Sequence, residues 1–384
     1  MDDRNISRMH PWLILSTIVC TIATGIALAW ASHSQLAQTQ ANAMTMLGRR
    51  LFFDPRLSID GQTSCSSCHD PAHAYSDGRM VSRGAFGRYG TRNAPSLLNV
   101  TVESSLFWDG RRQRLEDAVL DPFEHPLELA LPDDATLQIR LRTPAYRAAF
   151  ARAFGVSGNE APTRSQIGQA LASFIRALPR PASAFDRYQA NDTAALSREA
   201  LAGLRLFTGK AGCATCHALT GSPARFSDDG FHATGTGLQA IASRLPQLSA
   251  EVAQQSQDPT FIGRAVAARA DWSAMGRFVV THKPGDLGLF RTPSLRYVAD
   301  TAPYMHDGSV PTLEAAVDQE IYWRGLTSGK PLTLTVSERA DLIAFLRALS
   351  PMEHTMTNTA TPKEANAKTT EASQLSQRPH SPHT

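Results

Sequence analysis

The architecture of this chain can be worked out from two segments of one pattern, CSSCH at residues 65–69 and CATCH at residues 213–217. In each, two residues separate a pair of cysteines, and a histidine follows the second cysteine. Two thiols at this spacing reach the two vinyl groups on one edge of a heme, and the adjacent imidazole reaches its iron. We therefore predict two covalently bound heme c groups. Their attachment cysteines and proximal iron ligands are Cys65, Cys68, His69, Cys213, Cys216 and His217.

Paired cysteines also form disulfides, redox-active dithiols and zinc sites, and these alternatives fit the sequence less well. A thioredoxin-like pair requires a βαβ context, which is missing around both motifs. A zinc site needs further ligands at zinc spacing, and no third cysteine is near either motif. The fifth cysteine, Cys20, lies in an N-terminal apolar segment, so every other cysteine of the chain belongs to a motif.

The N-terminal segment PWLILSTIVCTIATGIALAWA, residues 11–31, carries no charged residue and follows two arginines. Such a segment is typical of a secretory signal or of an uncleaved membrane anchor. We therefore expect residues 1–43 to be a signal peptide or anchor with a short polar linker, and the protein to be periplasmic. The sequence leaves open whether the segment is cleaved.

Helical periodicity dominates the rest of the chain. Thr163 with Gln166 and Thr335 with Glu338 have the spacing of capping boxes, and apolar residues on one helical face follow each pair. No segment alternates convincingly between apolar and polar residues. We predict a mostly α, loop-rich fold with few strands and two c-type cytochrome-like heme domains. The predicted domains are an N-terminal heme domain at residues 44–181 and a C-terminal heme domain at residues 182–351.

Composition adds two expectations. Hydrophobic residues make up 42% of the chain and charged residues 19%, which is typical of a globular protein. The net charge of +3 is small, and no basic stripe with interleaved aromatic residues occurs, so we expect no nucleic-acid partner. Residues 352–384 are polar and almost free of apolar residues, so we predict a disordered tail there.

Five further segments carry a family resemblance: LFFDPRLS at 51–58, RNAPSL at 92–97, FWDGR at 107–111, RTPSLR at 291–296 and TAPYMHDG at 301–308. With these, the chain resembles the bacterial diheme cytochrome c peroxidase family, including its MauG-type branch, from Leu51 to Leu349. The resemblance implies that the heme on His69 is peroxidatic and that the heme on His217 stores and relays electrons.

The resemblance also implies roles for five other residues. Trp108 matches a tryptophan that lies between the two hemes. Glu128 matches a distal glutamate, and a carboxylate over an open iron can move a proton between the oxygens of peroxide. Asn93, Thr301 and Pro303 match positions that hold a calcium ion, for which amide and carbonyl oxygens are suitable ligands.

The chain departs from the family pattern around the first heme. Many relatives place a distal histidine where ungapped alignment puts Ala85, and the nearby His73 is expected to be a surface or propionate-contacting residue. The MauG-type branch also lacks that distal histidine. A distal glutamine of many relatives corresponds to Ala118, and His125 is a candidate to replace it.

The distal ligand of the second heme is also changed. Ungapped alignment puts Glu320 where peroxidases of this family carry a methionine. We choose Tyr322 as the iron ligand, because a tyrosine serves in the MauG-type branch. Glu320 and Met305 remain alternatives.

We therefore expect a diheme peroxidase that binds hydrogen peroxide at an open heme on His69 and shares oxidising equivalents with the heme on His217. As in the MauG-type branch, it would oxidise a small c-type cytochrome, a cupredoxin or a protein substrate. One alternative is an ordinary cytochrome c peroxidase, which reduces peroxide with electrons from a small cytochrome or cupredoxin. The other is a non-enzymatic diheme electron-transfer or sensor protein.

Overall fold

A computed structural model describes residues 34–157 and 160–351 of the chain. The predicted signal or anchor segment at 11–31 and the predicted tail at 352–384 lie outside these residues. Residues 34–43, which we expected to be linker, form the start of a helix that extends to residue 53. Within the described ranges, no helix has both the length and the apolar composition needed to cross a membrane.

Helices dominate the described residues, which confirms the prediction of a mostly α fold with few strands. The α-helices are α1 at 34–53, α2 at Leu115–Ala118, α3 at Asp121–Glu124, α4 at Asp134–Arg140, α5 at Pro144–Phe154, α6 at Arg164–Arg176, α7 at Ala184–Gln189, α8 at Arg198–Thr208, α9 at Leu245–Ala253, α10 at Pro259–Ala268, α11 at Ala270–Ala274, α12 at Phe278–Thr281, α13 at Leu313–Ser328 and α14 at Val336–Arg347. Strand β1 at Phe231–Ala233 pairs antiparallel with β2 at Leu289–Arg291. Phe231 lies opposite Arg291 in this short sheet.

Apolar side chains form three buried clusters. The first joins α1 to α6 and includes Phe52 and Leu171. The second joins α8 to α14 around Phe207 and Phe345. The third surrounds Trp272 and lies among helices α9 to α12. The division into two heme domains at residue 181 stays a prediction, because the third cluster gives the C-terminal half a second core.

The helix pairs of the first two clusters cross in the same way. A Cβ atom at Gly48 of α1 would lie 1.8 Å from the carbonyl oxygen of Ala170 in α6. A Cβ atom at Gly203 of α8 would lie 2.0 Å from the carbonyl oxygen of Asp341 in α14. Only glycine allows two backbones to approach so closely. In each half, the helix that precedes the cysteine motif therefore packs against the last helix through one glycine.

We expect Gly203→Ala to lower the free energy of unfolding by about 1–3 kcal/mol, because the added methyl group meets backbone rather than a movable side chain. The higher helix propensity of alanine offsets only part of this cost. Gly285→Ala is the matched control, since a Cβ atom there meets no heavy atom within 4 Å. Urea unfolding followed by circular dichroism measures both variants. Equal midpoints would show that the α8–α14 crossing tolerates a side chain.

Candidate functional site

The first cysteine pair lies on a tight turn. Cys65–Ser67 form one turn of 3₁₀ helix capped by Ser64, and the backbone N–H of His69 donates to the Cys65 carbonyl at 3.0 Å. The His69 Nδ1–H donates to the Tyr75 carbonyl oxygen at 3.0 Å, because a carbonyl can only accept. This bond fixes the tautomer and leaves Nε2 with the lone pair that an iron ligand needs.

The second cysteine pair repeats this geometry. Cys213–Thr215 form the same single turn, and the His217 N–H donates to the Cys213 carbonyl at 2.9 Å. The His217 Nδ1–H donates to the Phe226 carbonyl oxygen at 3.1 Å. Both histidines are therefore held for ligation through Nε2.

The thiols of both motifs have the chemistry that heme attachment needs. All four are free cysteines in the described part of the chain. Burial raises the pKa of Cys65 to about 12 and that of Cys213 to about 11. Free thiols beside a histidine with a free Nε2 fit thioether attachment to a heme.

A cavity of about 830 Å³ lies against the second motif and is lined by Cys213, Cys216 and His217. Its volume is in the upper part of the range for cofactor sites. Trp108 also lines this cavity, so the first half of the chain contributes to its wall. The residues present therefore fit a heme at His217.

Two serines hold the residues that immediately precede those whose carbonyls orient the histidines. The Ser96 hydroxyl donates to the Ala74 carbonyl at 2.5 Å, and the Ser294 hydroxyl donates to the Arg225 carbonyl at 2.8 Å. The next residue in each case is the histidine acceptor, and both Tyr75 and Phe226 have positive φ angles. The repeated Pro-Ser-Leu segments thus secure a strained backbone that any bulky residue would otherwise avoid.

Trp108 connects the two halves. Its indole N–H donates to the Asn93 carbonyl oxygen at 2.9 Å, and its own carbonyl accepts from the Arg291 N–H at 2.9 Å. The next residue, Asp109, is fully buried and pairs with Arg92 at 2.6 Å and Arg111 at 3.0 Å. Burial alone would raise the pKa of Asp109, but Arg111 and Arg92 hold it below its ordinary value. Trp108 is therefore fixed on both sides by short polar contacts.

Glu128 lies near the first motif and is partly exposed. Its charge adds to the effect of burial in raising the pKa of Cys68 to about 12. Its carbonyl oxygen accepts from the N–H of Ala85 at 2.7 Å, and Ala85 is fully buried. The structure thus brings Glu128 and Ala85, both singled out from the sequence, to one wall beside the first motif.

The two histidines near this site are engaged elsewhere. His125 is buried, its Nε2–H donates to the Gly263 carbonyl at 3.2 Å, and its Nδ1 accepts from the Leu127 N–H at 3.2 Å. Both ring nitrogens therefore bond to backbone groups, and Nδ1 also lies 3.8 Å from a carboxylate oxygen of Glu128. His73 is half-exposed and pairs with Asp70 at 3.1 Å.

The three residues that the resemblance assigned to calcium come together. Asn93, Thr301 and Pro303 all line the cavity that Trp108 and His217 share. The Asn93 side-chain N–H donates to the Arg79 carbonyl at 2.8 Å, which directs the amide nitrogen away and leaves the amide oxygen as the free acceptor. This is the atom that a hard cation would take.

The structure places Tyr322 outside the cavity at the second motif. Helix α13 runs without a break through Gly325 to Ser328, so residues two apart lie on different faces. Tyr322 is 67% exposed, whereas Glu320 lines the cavity beside His217. Burial raises the pKa of Glu320, and Arg324 opposes this rise. Met305 also lines the cavity, so the two alternatives are better placed than Tyr322.

His306 was missed in the sequence. The turn from Leu106 to Arg112 and the turn from Tyr304 to Val310 close with the same type of bridge, which makes His306 the counterpart of Trp108. His306 is buried, stacks on Phe290 with ring centroids 3.8 Å apart, and lines the same cavity. The Asp-Gly pair that follows Trp108 and His306 is the signal that reveals the correspondence.

Comparison with known proteins agrees with this geometry. Residues 42–194 match the family model described as di-haem cytochrome c peroxidase. The chain is 38% identical to the cytochrome-c peroxidase IdrP1 of Denitromonas iodatirespirans, over 80% of this chain and 81% of that protein. It is 36% identical to the methylamine utilization protein MauG of Methylorubrum extorquens, over 81% and 80% of the two chains. A solved MauG-like protein associated with microbial copper homeostasis aligns with a TM-score of 0.64 at 34% identity, covering 80% of this chain and 89% of that one.

Proposed function

The chain belongs to the diheme cytochrome c peroxidase family and is a heme peroxidase, and from this premise we propose that it acts in the manner of the MauG-type branch. In this proposal two heme c groups are attached covalently, the first through Cys65 and Cys68 and the second through Cys213 and Cys216. A calcium ion held by Asn93, Thr301 and Pro303 completes the cofactor set. The protein works in the periplasm.

The residues that would bind the two hemes have suitable geometry. When bound, heme supplies an iron that exchanges electrons and, where one face is open, binds peroxide. His69 and His217 would ligate the irons through Nε2, since Nδ1 of each is committed to a backbone carbonyl. Trp108 would lie between the hemes, and the hydrogen bond from its indole N–H to the Asn93 carbonyl holds the ring in one orientation.

Glu128 would hold and move the proton in the peroxide reaction. Its carboxylate lies near Cys68, and it is exposed enough to exchange protons with solvent. General acid–base groups of this kind contribute about 10²–10⁴-fold to a rate. Substrates for the oxidising equivalents would be a small c-type cytochrome, a cupredoxin or a protein.

The observation that carries the proposal is Ala85. Its side chain is fully buried against the Glu128 segment, and it has no group that can bind iron. Relatives that need prior reduction carry a histidine at the aligned position, as the family resemblance implies. An alanine there would supply no ligand to a heme held by His69, which would leave one face free for peroxide.

The ferric EPR spectrum tests this proposal. We expect one high-spin and one low-spin heme in the oxidised protein, and a reaction with hydrogen peroxide that needs no prior reduction. Steady-state turnover with reduced cytochrome c is measured in parallel. Two low-spin signals with turnover only after reduction would indicate an ordinary cytochrome c peroxidase. Two low-spin signals without any peroxide reaction would indicate electron transfer or sensing.

We expect Glu320→Gln, rather than Tyr322→Phe, to alter the second heme. Loss of an anionic group beside the iron raises its reduction potential, by on the order of 60 mV if the one-electron equilibrium changes tenfold. Tyr322→Phe is the matched control, because that side chain lies outside the cavity. Spectroelectrochemistry measures both. A shifted potential in Tyr322→Phe with none in Glu320→Gln would restore the tyrosine as ligand.

A further inference from the structure

Residues 79–90, which we name the arginine loop, form a tight hairpin above the first motif. Arg83 and Tyr89 pair across it, and the N–H of Gly84 donates to the Arg88 carbonyl at 2.9 Å. Phe86 lies at its tip. Three large side chains of this loop are exposed to solvent: Met80 at 57%, Phe86 at 61% and Tyr89 at 62%.

The arginine loop is rigidly held despite its exposure. The Phe86 N–H donates to the Asp60 carboxylate at 2.8 Å, and the Arg88 guanidinium donates to the Pro126 carbonyl at 3.1 Å. Phe86 has a φ angle of 57°, a conformation that costs free energy for a bulky residue. Strain of this kind persists where the surroundings enforce it, often at functional sites. The Phe86 ring is therefore held in one position in solvent, although its backbone conformation is unfavourable in free energy.

The charge of the loop has one sign. The loop includes three arginines and no aspartate or glutamate. Arg79 pairs with the neighbouring Asp77 at 3.9 Å, so Arg83 and Arg88 give the outer face its charge. Arg88 lies over the Phe86 ring at 5.0 Å and Arg83 over the Tyr89 ring at 5.8 Å. Methionine, aromatic residues and arginine are the residues enriched at the centres of protein interfaces.

The loop also lies at the first site. Its inner residue Ala85 donates to the Glu128 carbonyl, and a Cβ atom at Gly84 would lie 2.1 Å from the Leu127 carbonyl. The loop and the Glu128 segment are therefore in backbone contact. A protein bound to the outer face of the loop would rest directly over the segment that carries Glu128.

We propose that the arginine loop is the docking surface for a redox protein that presents an acidic patch around an apolar centre. This inference rests on the proposed function, because it assigns the partner of the same site. Complementary charge steers encounter, and the exposed aromatic side chains supply the apolar contact. A second copy of this chain fits poorly, since two arginine loops placed face to face would repel each other.

Binding of a labelled acidic probe to the heme-loaded, full-length protein tests this inference. Plastocyanin is the acidic probe, and mitochondrial cytochrome c is a basic probe of similar size. The loop variants are Arg83→Glu with Arg88→Glu, and separately Phe86→Asn, which retains the preference for positive φ. The control combines Ile139→Ser with Arg152→Glu, an exposed apolar residue and an exposed arginine of the same half.

Fluorescence anisotropy at low and high salt gives the dissociation constants. We expect plastocyanin to bind more tightly than cytochrome c, and each loop variant to weaken plastocyanin binding about tenfold or more. The control should stay within about twofold of wild type, and high salt should weaken binding to wild type but hardly to the arginine variant. Circular dichroism and heme content identify any variant that misfolds. If one loop variant misfolds, the binding measured with the other loop variant tests the inference.

Three results would overturn the inference: unchanged plastocyanin binding in folded loop variants, equal weakening in the control, or tighter binding of cytochrome c to wild type. Sedimentation that reveals a dimer abolished by the loop variants would assign the surface to self-association instead. Peroxide reduction by wild type with a small-molecule donor is measured separately. Its absence would contradict the proposed function, whereas loss of plastocyanin binding alone concerns only the loop.

Discussion

Replacing Cys213 and Cys216 together with alanine should reduce the covalently bound heme from two groups to one. Each thioether bond needs its own thiol, and without both the second heme can only be held by His217 and the cavity wall. A cavity of about 830 Å³ would then lack its anchored occupant. Intact mass under denaturing conditions counts the covalent hemes directly.

The reciprocal variant, Cys65→Ala with Cys68→Ala, is the control for this experiment. It should also retain one heme, and the absorption spectra of the two variants should differ because each reports one site. A wild-type mass with fewer than two hemes would end the diheme interpretation. A cysteine variant that keeps both hemes would show that its motif is not an attachment site.

Glu128→Gln should slow the reaction of the oxidised protein with hydrogen peroxide by about 10²–10⁴-fold. Glutamine has nearly the same shape as glutamate but cannot take up and return a proton. The backbone contact between Ala85 and residue 128 does not involve the side chain, so the loop that contacts it should be unaffected. Stopped-flow absorption at varied peroxide concentrations gives the second-order rate constant.

Glu124→Gln is the matched control, because Glu124 lies in the same segment and is bound to Arg164 at 2.6 Å. Glu124→Gln should change the rate constant by less than about twofold, although it removes the partly exposed ion pair with Arg164. Comparable rates for Glu128→Gln and wild type would exclude Glu128 as the proton carrier. The proton would then have to come from solvent or from another side chain.

Local features of the sequence were sufficient for much of this fold. The capping boxes of Thr163 and Thr335 are both present, with each side chain accepting from the third residue of its helix. They were predictable because a cap depends on residues within one turn. The two CxxCH motifs could be recognised equally well, because the two thiols and the adjacent imidazole belong to one short segment.

The placement of Tyr322 depends on where a helix ends. A glycine such as Gly325 can end a helix, but α13 continues through it to Ser328 and is capped by Gly329, which has a φ of 65°. A glycine inside a helix lowers its stability by roughly 1 kcal/mol, which neighbouring packing can override. Sequence alone could not weigh that packing, so it could not decide which of two side chains faces the cavity.

Contacts between distant segments were also beyond the sequence. The Ser96 and Ser294 hydroxyls hold carbonyls of residues 22 and 69 positions away, and neither bond leaves a local pattern. The cluster around Trp272 was missed because its helices are short, and the longest of the four, α10, has ten residues. Periodicity is hard to recognise over so few turns.

Because Trp108 is held between Asn93 and Arg291, the rate of electron exchange is expected to have a particular dependence on solvent viscosity. The ion pairs of Asp109 and the bond from the Arg277 guanidinium to the Asp109 carbonyl at 2.8 Å lock the two halves at this point. A step that required hinge motion would slow in proportion to the friction of the medium. Since these contacts already join the halves, we expect electron exchange between the two proposed hemes to proceed at the same rate in concentrated sucrose as in dilute buffer.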